Sequence, residues 1–519
     1  MKEDKQTDQN KVMNQTKINT RPSGYQTNEQ RAEKPNVLLI LTDDQRFDTI
    51  EALSFSHMIT PNFNRLVSRG TTFTQAHIPS GTSGAICMPS RAMLLTGRTL
   101  FHLEGEGQSI PPEHVQIGQV FSEAGYDTYG TGKWHNGTDA FNRGFKSGDH
   151  IFFGGMWDHW NVPCCDYDPS GRYNNLTPFI DNFFYSREPK YFNCDQIHPG
   201  YHSSEMLADA TIDFLDCQPD DQPFFAYTSF LAPHDPRSMP KAYLDLYDPD
   251  HIKLPENFYQ THPFDLGVHN IRDEQLVDWP LDPEEVKQHI REYYAMISHL
   301  DAQIGRILDK LKDQNQLEKT IIVIAGDNGL SVGQHGLMGK QNHYEHSIRV
   351  PLIMSGPGIA ANKRVDDFVY LLDIFPTLCD LCQLPVPSTV DGISMASVLK
   401  QNHSVRDNIS SENVTNQQKK KQQTASRDSL YFAFTDLIRS VKTRQYKLTE
   451  ACGPDRKTLL FDLEKDPLEM ENLAEKADFQ ETVRELRQLL ISHRDEWDDL
   501  KHPMGQAFWQ RYEATTPVL

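Results

Sequence analysis

Two short apolar runs, each ending in carboxylates, limit what this chain can fold into more than any other feature. Asn36-Val37-Leu38-Leu39-Ile40-Leu41 leads into Asp43-Asp44-Gln45-Arg46, and Thr320-Ile321-Ile322-Val323-Ile324-Ala325 leads into Gly326-Asp327-Asn328-Gly329. A strand that is apolar at every position, rather than at alternate ones, has both faces covered. Pro223 to Phe230 and Val350 to Met354 have the same character. A helical pattern from Glu285 to Gln314, apolar at Ile290, Tyr294, Ile297, Ile304, Ile307, Leu308 and Leu311, lies among them. Strands alternating with helices predict an α/β fold, with a large, doubly wound, mostly parallel sheet flanked by helices. Ligands in such sheets bind beyond the carboxyl ends of the strands, which is where the acidic clusters fall.

The chain has 519 residues, enough for one large domain and a smaller one. Residues 1–34 are polar, rich in Gln, Asn, Lys and Thr, and are expected to be disordered. The large α/β domain is expected over 35–400, and 401–427, with its Lys419 to Lys421 run, is expected to be a polar linker or loop. A C-terminal α+β subdomain is expected over 428–519. It combines β-like segments at Leu430 to Phe434, Ile438 to Leu448 and Leu460 to Leu463 with an amphipathic helix carrying Val483, Leu486, Leu489, Leu490 and Trp497. The net charge of −21 argues against nucleic acid or anionic membranes as partners. An anionic substrate is still allowed, because a few local cations can hold it. No apolar stretch approaches the roughly 20 residues of a transmembrane span, and the chain starts without a secretory apolar region.

Cys87 opens Cys87-Met88-Pro89-Ser90-Arg91-Ala92-Met93-Leu94-Leu95-Thr96-Gly97-Arg98. Pro89 suits the first turn of a helix and the residues after it propagate one, so Cys87 is placed at a helix N-terminus, a position that favours anions. A buried structural thiol is the alternative. The other seven cysteines are an odd number. Cys164 or Cys165 could pair locally with Cys194, though nothing fixes the pairing, and Cys379 and Cys382 fit helix packing. Asp43, Asp44, Asp327 and Asn328 together make a hard-oxygen set suited to Ca²⁺ or Mg²⁺, although each pair alone is an ordinary turn. Gly132-Lys133-Trp134-His135, Pro233-His234-Asp235-Pro236 and Gly336-Leu337-Met338-Gly339-Lys340 add cations and proton donors. These are the groups that an ester of a strong oxyacid needs on its nonbridging and leaving oxygens.

The Cys87 segment, with these clusters in this order, resembles the signature of type I sulfatases. The likeness runs from about Pro35 to the end, including Asp391-Gly392 and Leu460-Phe461-Asp462-Leu463-Glu464-Lys465-Asp466-Pro467. The resemblance implies that a formylglycine-generating or anaerobic sulfatase-maturating enzyme oxidises Cys87 to formylglycine, whose hydrate carries two hydroxyls on one carbon. It implies Ca²⁺, less readily Mg²⁺, on Asp43, Asp44, Asp327, Asn328 and the modified Cys87. Arg91 would steady that group, Lys133 and Lys340 would grip the sulfate, His135 would hydrogen-bond the hydrate, and His234 would protonate the leaving oxygen. One hydroxyl, polarised by the metal, would attack sulfur, and loss of a proton from the other would expel sulfate. Asn136 stands where the family usually has Leu, and with Arg237 it is a candidate substrate contact. The family's habit favours a periplasmic, secreted or cell-surface protein whose leader is absent from this chain, with the cytoplasm left open.

The expected substrate is a sulfated carbohydrate, an algal polysaccharide fragment or a glycosaminoglycan oligosaccharide. The stretch from Phe152 to Phe192 carries Trp157, Trp160, Tyr167, Tyr173, Phe179, Phe183, Phe184, Tyr185 and Tyr191, equally suited to stacking on sugars or to packing on one another. Arg46, His102, Arg237, His343 and His346 could add polar contacts, with a solvated loop position as the alternative for each. Two rival functions remain: phosphonate or phosphate ester hydrolysis on the same fold, and glycan binding without turnover.

Overall fold

The computed structural model describes residues 34–180, 184, 186–400 and 427–515. The polar stretches at 1–33 and 401–426, and Phe183 and Tyr185, lie outside the described residues. The apolar runs form the centre of an eight-stranded sheet. Its strands are β1 (Asn36–Thr42), β2 (Gly70–Phe73), β3 (Asp127–Lys133), β4 (Ser147–Phe152), β5 (Phe224–Ser229), β6 (Thr320–Gly326), β7 (Leu352–Ser355) and β8 (Lys363–Val365), in spatial order β8-β2-β7-β6-β1-β5-β3-β4. Strands β6, β1, β5, β3 and β4 run parallel, with Leu39 level with Val323 on one side and Tyr227 on the other. Strand β7 is antiparallel to both of its neighbours, so the sheet is mixed at that one strand.

Both faces of β1 are buried, as its unbroken apolar run requires. Val37, Leu39 and Leu41 enter one core, while Leu38 and Ile40 enter the other. The second core is covered by α1 (Pro61–Arg69), α3 (Ser203–Asp216) and α4 (Pro283–Asp313); α2 (Cys87–Thr96) packs in the first. Helix α4 starts two residues before the apolar pattern does, because the Asp282 carboxylate caps the N–H groups of Glu284 and Glu285 and Pro283 occupies the first turn. Among the described residues no helix is long and apolar enough to cross a membrane.

The C-terminal sheet has four antiparallel strands, β9 (Leu430–Phe434), β10 (Ile438–Lys442), β11 (Tyr446–Cys452) and β12 (Arg456–Asp462), against which α5 (Gln480–Glu496) packs. The segment expected as one strand from Ile438 to Leu448 is a hairpin. Its turn lacks Gly and Pro and is closed by Thr443 and Tyr446, which exchange hydrogen bonds. A fifth strand, Ser80–Gly81, comes from just before the Cys87 helix and lies parallel to β9. The described residues from Pro35 onward accordingly form one compact unit, with the C-terminal sheet joined to the loop that leads into Cys87.

Candidate active site

The carboxyl ends of β1, β6, β3 and β5 bring together side chains nearly three hundred residues apart. Asp43 and Asp44 follow β1, Asp327 and Asn328 follow β6, Lys133 ends β3 with His135 two residues on, and His234 follows β5. Helix α2 points its first residue, Cys87, into this group, and Gly97 ends it in the left-handed region with its N–H on Met93 O. Gly132 is required at its position. With φ +86° its Cα faces the Ser229 carbonyl so closely that no Cβ would fit, and the kink turns Lys133 and His135 inward. Asp44 and His135 themselves hold φ of +61° and +65°, strained values for residues with side chains.

The contacts form one network. The Lys133 ammonium donates to Asp43 Oδ2 and lies 3.6 Å from Cys87 Sγ; His135 Nδ1 is 3.4 Å from the same sulfur. Arg91 donates through Nε to Asp327 Oδ2 at 2.9 Å, lies 3.3 Å from Asp43 Oδ2, and donates to Lys133 O at 2.8 Å. Lys340 Nζ donates to Asp44 Oδ1 at 2.5 Å, as does Asn328 Nδ2 at 2.6 Å. His234 Nδ1 is 2.8 Å from the Asp235 carbonyl oxygen, which leaves Nε2 facing Asp44 Oδ2 at 3.6 Å.

Apart from the partly exposed His135 these groups are almost completely buried, so electrostatics decide their protonation. Burial would raise the Asp43 carboxyl, but Lys133, Arg91, His234 and Lys340 outweigh it and hold Asp43 well below the carboxylate range. Burial and the neighbouring Asp43 push Asp327 up instead. Burial pushes His135 well below its usual value, with Lys133 and Arg91 adding to the effect, so the ring is neutral. The Cys87 thiol is raised by burial even beside two lysines. An unmodified thiol here is therefore a poor thiolate nucleophile.

Three oxygen atoms of the cluster, Asp43 Oδ1, Asp44 Oδ2 and Asn328 Oδ1, are buried without a hydrogen-bond partner. Such atoms are costly unless something binds them. One donor atom each from Asp43, Cys87 and Asp327 lies within 4.8 Å of the others, and the same holds for Asp43, Asp44 and His234. The donor set fits a hard divalent cation.

The other expected residues divide. Asn136 is wholly buried and its Nδ2 donates to Met88 O at 2.9 Å and Gly107 O at 2.6 Å, which fastens the first turn of α2, while its Oδ1 is buried without a hydrogen-bond partner. Arg237 Nη1 lies 2.7 Å from His289 Nδ1, and its Nε and Nη2 are buried without partners. Arg46 is paired with Asp48 through both of its oxygens. His102 joins Asp391 to Asp498. His343 and His346 are neither solvated nor at the site; both are buried, on Ser440 Oγ and Ser331 Oγ. All eight cysteines lie among the described residues, and none of them forms a disulfide. In the aromatic stretch, Tyr167 and Tyr173 pack on the core Phe141, while Trp157, Phe179 and Phe192 cluster at 4.3–5.4 Å, half-buried. Gly155, two residues before Trp157, lies against the site, since a Cβ on it would meet His135 Nε2 at 2.8 Å.

The sulfatase family profile matches residues 35–384, two thirds of the chain. The chain belongs to the sulfatase family. A second profile, that of the N-sulphoglucosamine sulphohydrolase C-terminal region, matches 333–496. An arylsulfatase of Clostridium perfringens is 28% identical over 485 residues, covering 88% of this sulfatase and 94% of the relative. An ulvan-active sulfatase of Formosa agariphila is 27% identical, with 87% and 80% covered. The human N-acetylglucosamine-6-sulfatase is 27% identical over 71% of this chain and 64% of its own. Among solved structures, a protein in complex with its substrate D-glucosamine-2-N,6-O-disulfate aligns with a TM-score of 0.68 at 21% identity, covering 91% and 99%. A phosphonate monoester hydrolase of Agrobacterium radiobacter aligns equally well, at 0.68 and 22%, covering 89% and 96%, so the fold by itself does not choose between sulfur and phosphorus.

The sequence missed the turn Arg272–Gln275, which lies against the site. Arg272 pairs with Asp235, next to His234, and Asp273 Oδ2 is 3.9 Å from Lys340 Nζ. No motif marks these residues.

Proposed function

We propose that this sulfatase hydrolyses sulfate esters of a carbohydrate, an algal polysaccharide fragment or a glycosaminoglycan oligosaccharide, with Cys87 matured to formylglycine and Ca²⁺ beside it. The observation that carries this reading is the convergence on Cys87 Sγ of Lys133 and His135, beside three buried oxygens without partners. Asp43, Asp44, Asp327 and Asn328 would hold the metal, which when bound supplies positive charge that eases deprotonation of an adjacent hydroxyl. The modified residue would supply two hydroxyls on one carbon, so that sulfate can leave without water attacking sulfur.

The chain's own residues divide the remaining work. Lys133 and Lys340, both raised by their carboxylate partners against the effect of burial, stay charged to neutralise the sulfate oxygens. Neutral His135 can accept a proton from a hydroxyl at the Cys87 position, and Arg91 fixes the carboxylates around it. His234 would protonate the leaving sugar oxygen. The carbohydrate assignment is supported by the relatives named for N-acetylglucosamine-6-sulfate and ulvan, and by the half-buried Trp157 cluster, whose segment passes His135 at Gly155. Such a substrate suits a periplasmic or external location.

The test is co-expression with a maturating enzyme, mass spectrometry of the Cys87 peptide, and a screen of sulfated oligosaccharides, aryl sulfates and phosphonate esters. The expected result is a peptide converted from thiol to aldehyde and turnover of sulfated sugars. Activity confined to aryl sulfates sinks the carbohydrate assignment, and a preference for phosphonates sinks the sulfur chemistry.

A further inference from the structure

The turn Arg272–Gln275 sits where three loops of the site meet. Glu274 is completely buried, and its two carboxylate oxygens accept the N–H groups of Met338 at 2.8 Å and Gly339 at 2.9 Å, the two residues before Lys340. Gly339 is what permits this approach, since a Cβ there would lie 2.8 Å from Glu274 Oε1. Asp273 accepts from Gln341 Nε2 at 2.8 Å; the same nitrogen lies 2.9 Å from Gly84 O, in the loop leading to Cys87, and Gln341 Oε1 accepts the Lys340 N–H at 3.0 Å. Arg272 reaches the other way, to the Asp235 carboxylate, whose backbone oxygen holds His234 Nδ1. Lys340 is thus bracketed on both sides by hydrogen bonds that lead back to one turn.

We propose that Arg272, Asp273 and Glu274 form a positioning clamp that sets the Lys340 loop against the His234 loop, so that the sulfate grip and the leaving-group acid face one ester together. The clamp rests on the roles proposed above for Lys340 and His234. A carboxyl group whose two oxygens each accept an N–H fixes a loop more rigidly than a single hydrogen bond does; burial pushes Glu274 up to about 7, and the two donors oppose that rise. Displacing a grip by as little as about 1 Å can cost about 10²-fold in rate. None of the three residues contacts Cys87, so they act through their neighbours.

The test is a double-mutant cycle on the matured enzyme with a sulfated oligosaccharide. Glu274→Gln leaves one oxygen and turns an N–H₂ toward the second donor. It should lower kcat/KM by about 10²-fold in the natural background and by less than about threefold in Lys340→Met. Arg272→Gln should cost more on the sugar sulfate than on an aryl sulfate, whose good leaving group has little need of His234. Equal losses in both backgrounds and on both substrates would overturn the clamp. Amide exchange supplies a readout independent of turnover. Peptides covering 336–342 should exchange faster in Glu274→Gln while those of β11 and β12 do not change, and uniform acceleration, the mark of a general loss of stability, would also overturn it. If Glu274→Gln does not fold, Asp273→Asn, nearer the surface and on the Gln341 side of Lys340, takes its place, with a smaller loss and the same dependence on Lys340. Absence of desulfation by the unmutated enzyme on every substrate would refute the proposed function, whereas an additive cycle refutes the clamp alone.

Discussion

Two buried acidic centres in this molecule each pair an aspartate with an arginine and end in opposite states. In the C-terminal region Asp499 accepts from Arg439 Nε at 2.7 Å and Nη2 at 3.0 Å, from Tyr431 Oη at 2.7 Å and from Trp509 Nε1 at 2.7 Å, so both oxygens are used. At the strand ends, Asp43, Asp44 and Asn328 each keep an oxygen without a partner, and the backbone at Asp44 and His135 is strained. A fully paired buried charge holds structure together, whereas one left incomplete costs stability that folding alone would not retain. Completeness of pairing, more than burial or charge, separates the scaffold from the chemistry here.

The largest effect expected to break this comparison is at Cys87. Cys87→Ala should reduce turnover by about 10⁶-fold, as loss of a nucleophile does, and leave the urea midpoint almost unchanged. A collapse in stability would show that the thiol is structural. Asp499→Ala should do the reverse, costing about 3–5 kcal/mol in urea unfolding because Arg439 is left buried and unpaired, with kcat of the folded enzyme preserved.

Metal removal sharpens the contrast at intermediate size. If the orphaned oxygens bind Ca²⁺, adding it to chelated protein at 100 times its dissociation constant should stabilise the fold by about 2.7 kcal/mol. Asp43→Asn should abolish that gain, and Asp499→Ala should keep it; calorimetric melts with and without Ca²⁺ check both.

The smallest expected effect concerns pH. Burial pushes His159 and His299 down to about 4; His159 Nε2 is 2.9 Å from His234 O, and His299 packs on His202 and Tyr243. These rings stay neutral in the folded protein but gain protons on unfolding below about pH 6.5, so their contribution is complete above that value and is lost as pH falls toward 4. Each should take up to about 1.4 kcal/mol per pH unit from stability in that window. Asp499, which burial would raise but Arg439 holds low, stays charged throughout. His299→Phe should flatten the dependence of the urea midpoint on pH between 6.5 and 5.

What the sequence determined was local and periodic. The unbroken apolar run of β1 required two buried faces. The acidic ends of β1 and β6 had to share one edge of a parallel sheet, and Pro89 with the residues after it required a helix beginning at Cys87. Lys133, His135, His234 and Lys340 could be singled out as candidates because they sit in motifs, and the fold brings them together. Tertiary structure alone decided the rest. The antiparallel course of β7, the hairpin at Thr443 to Tyr446, the burial of His343 and His346, the fastening role of Asn136 and the turn Arg272 to Glu274 all depend on partners far away in the chain. A carboxylate such as Glu274 looks like any surface acid until folding carries the Met338 and Gly339 N–H groups to it, because its energy lies in the pairing and not in the residue.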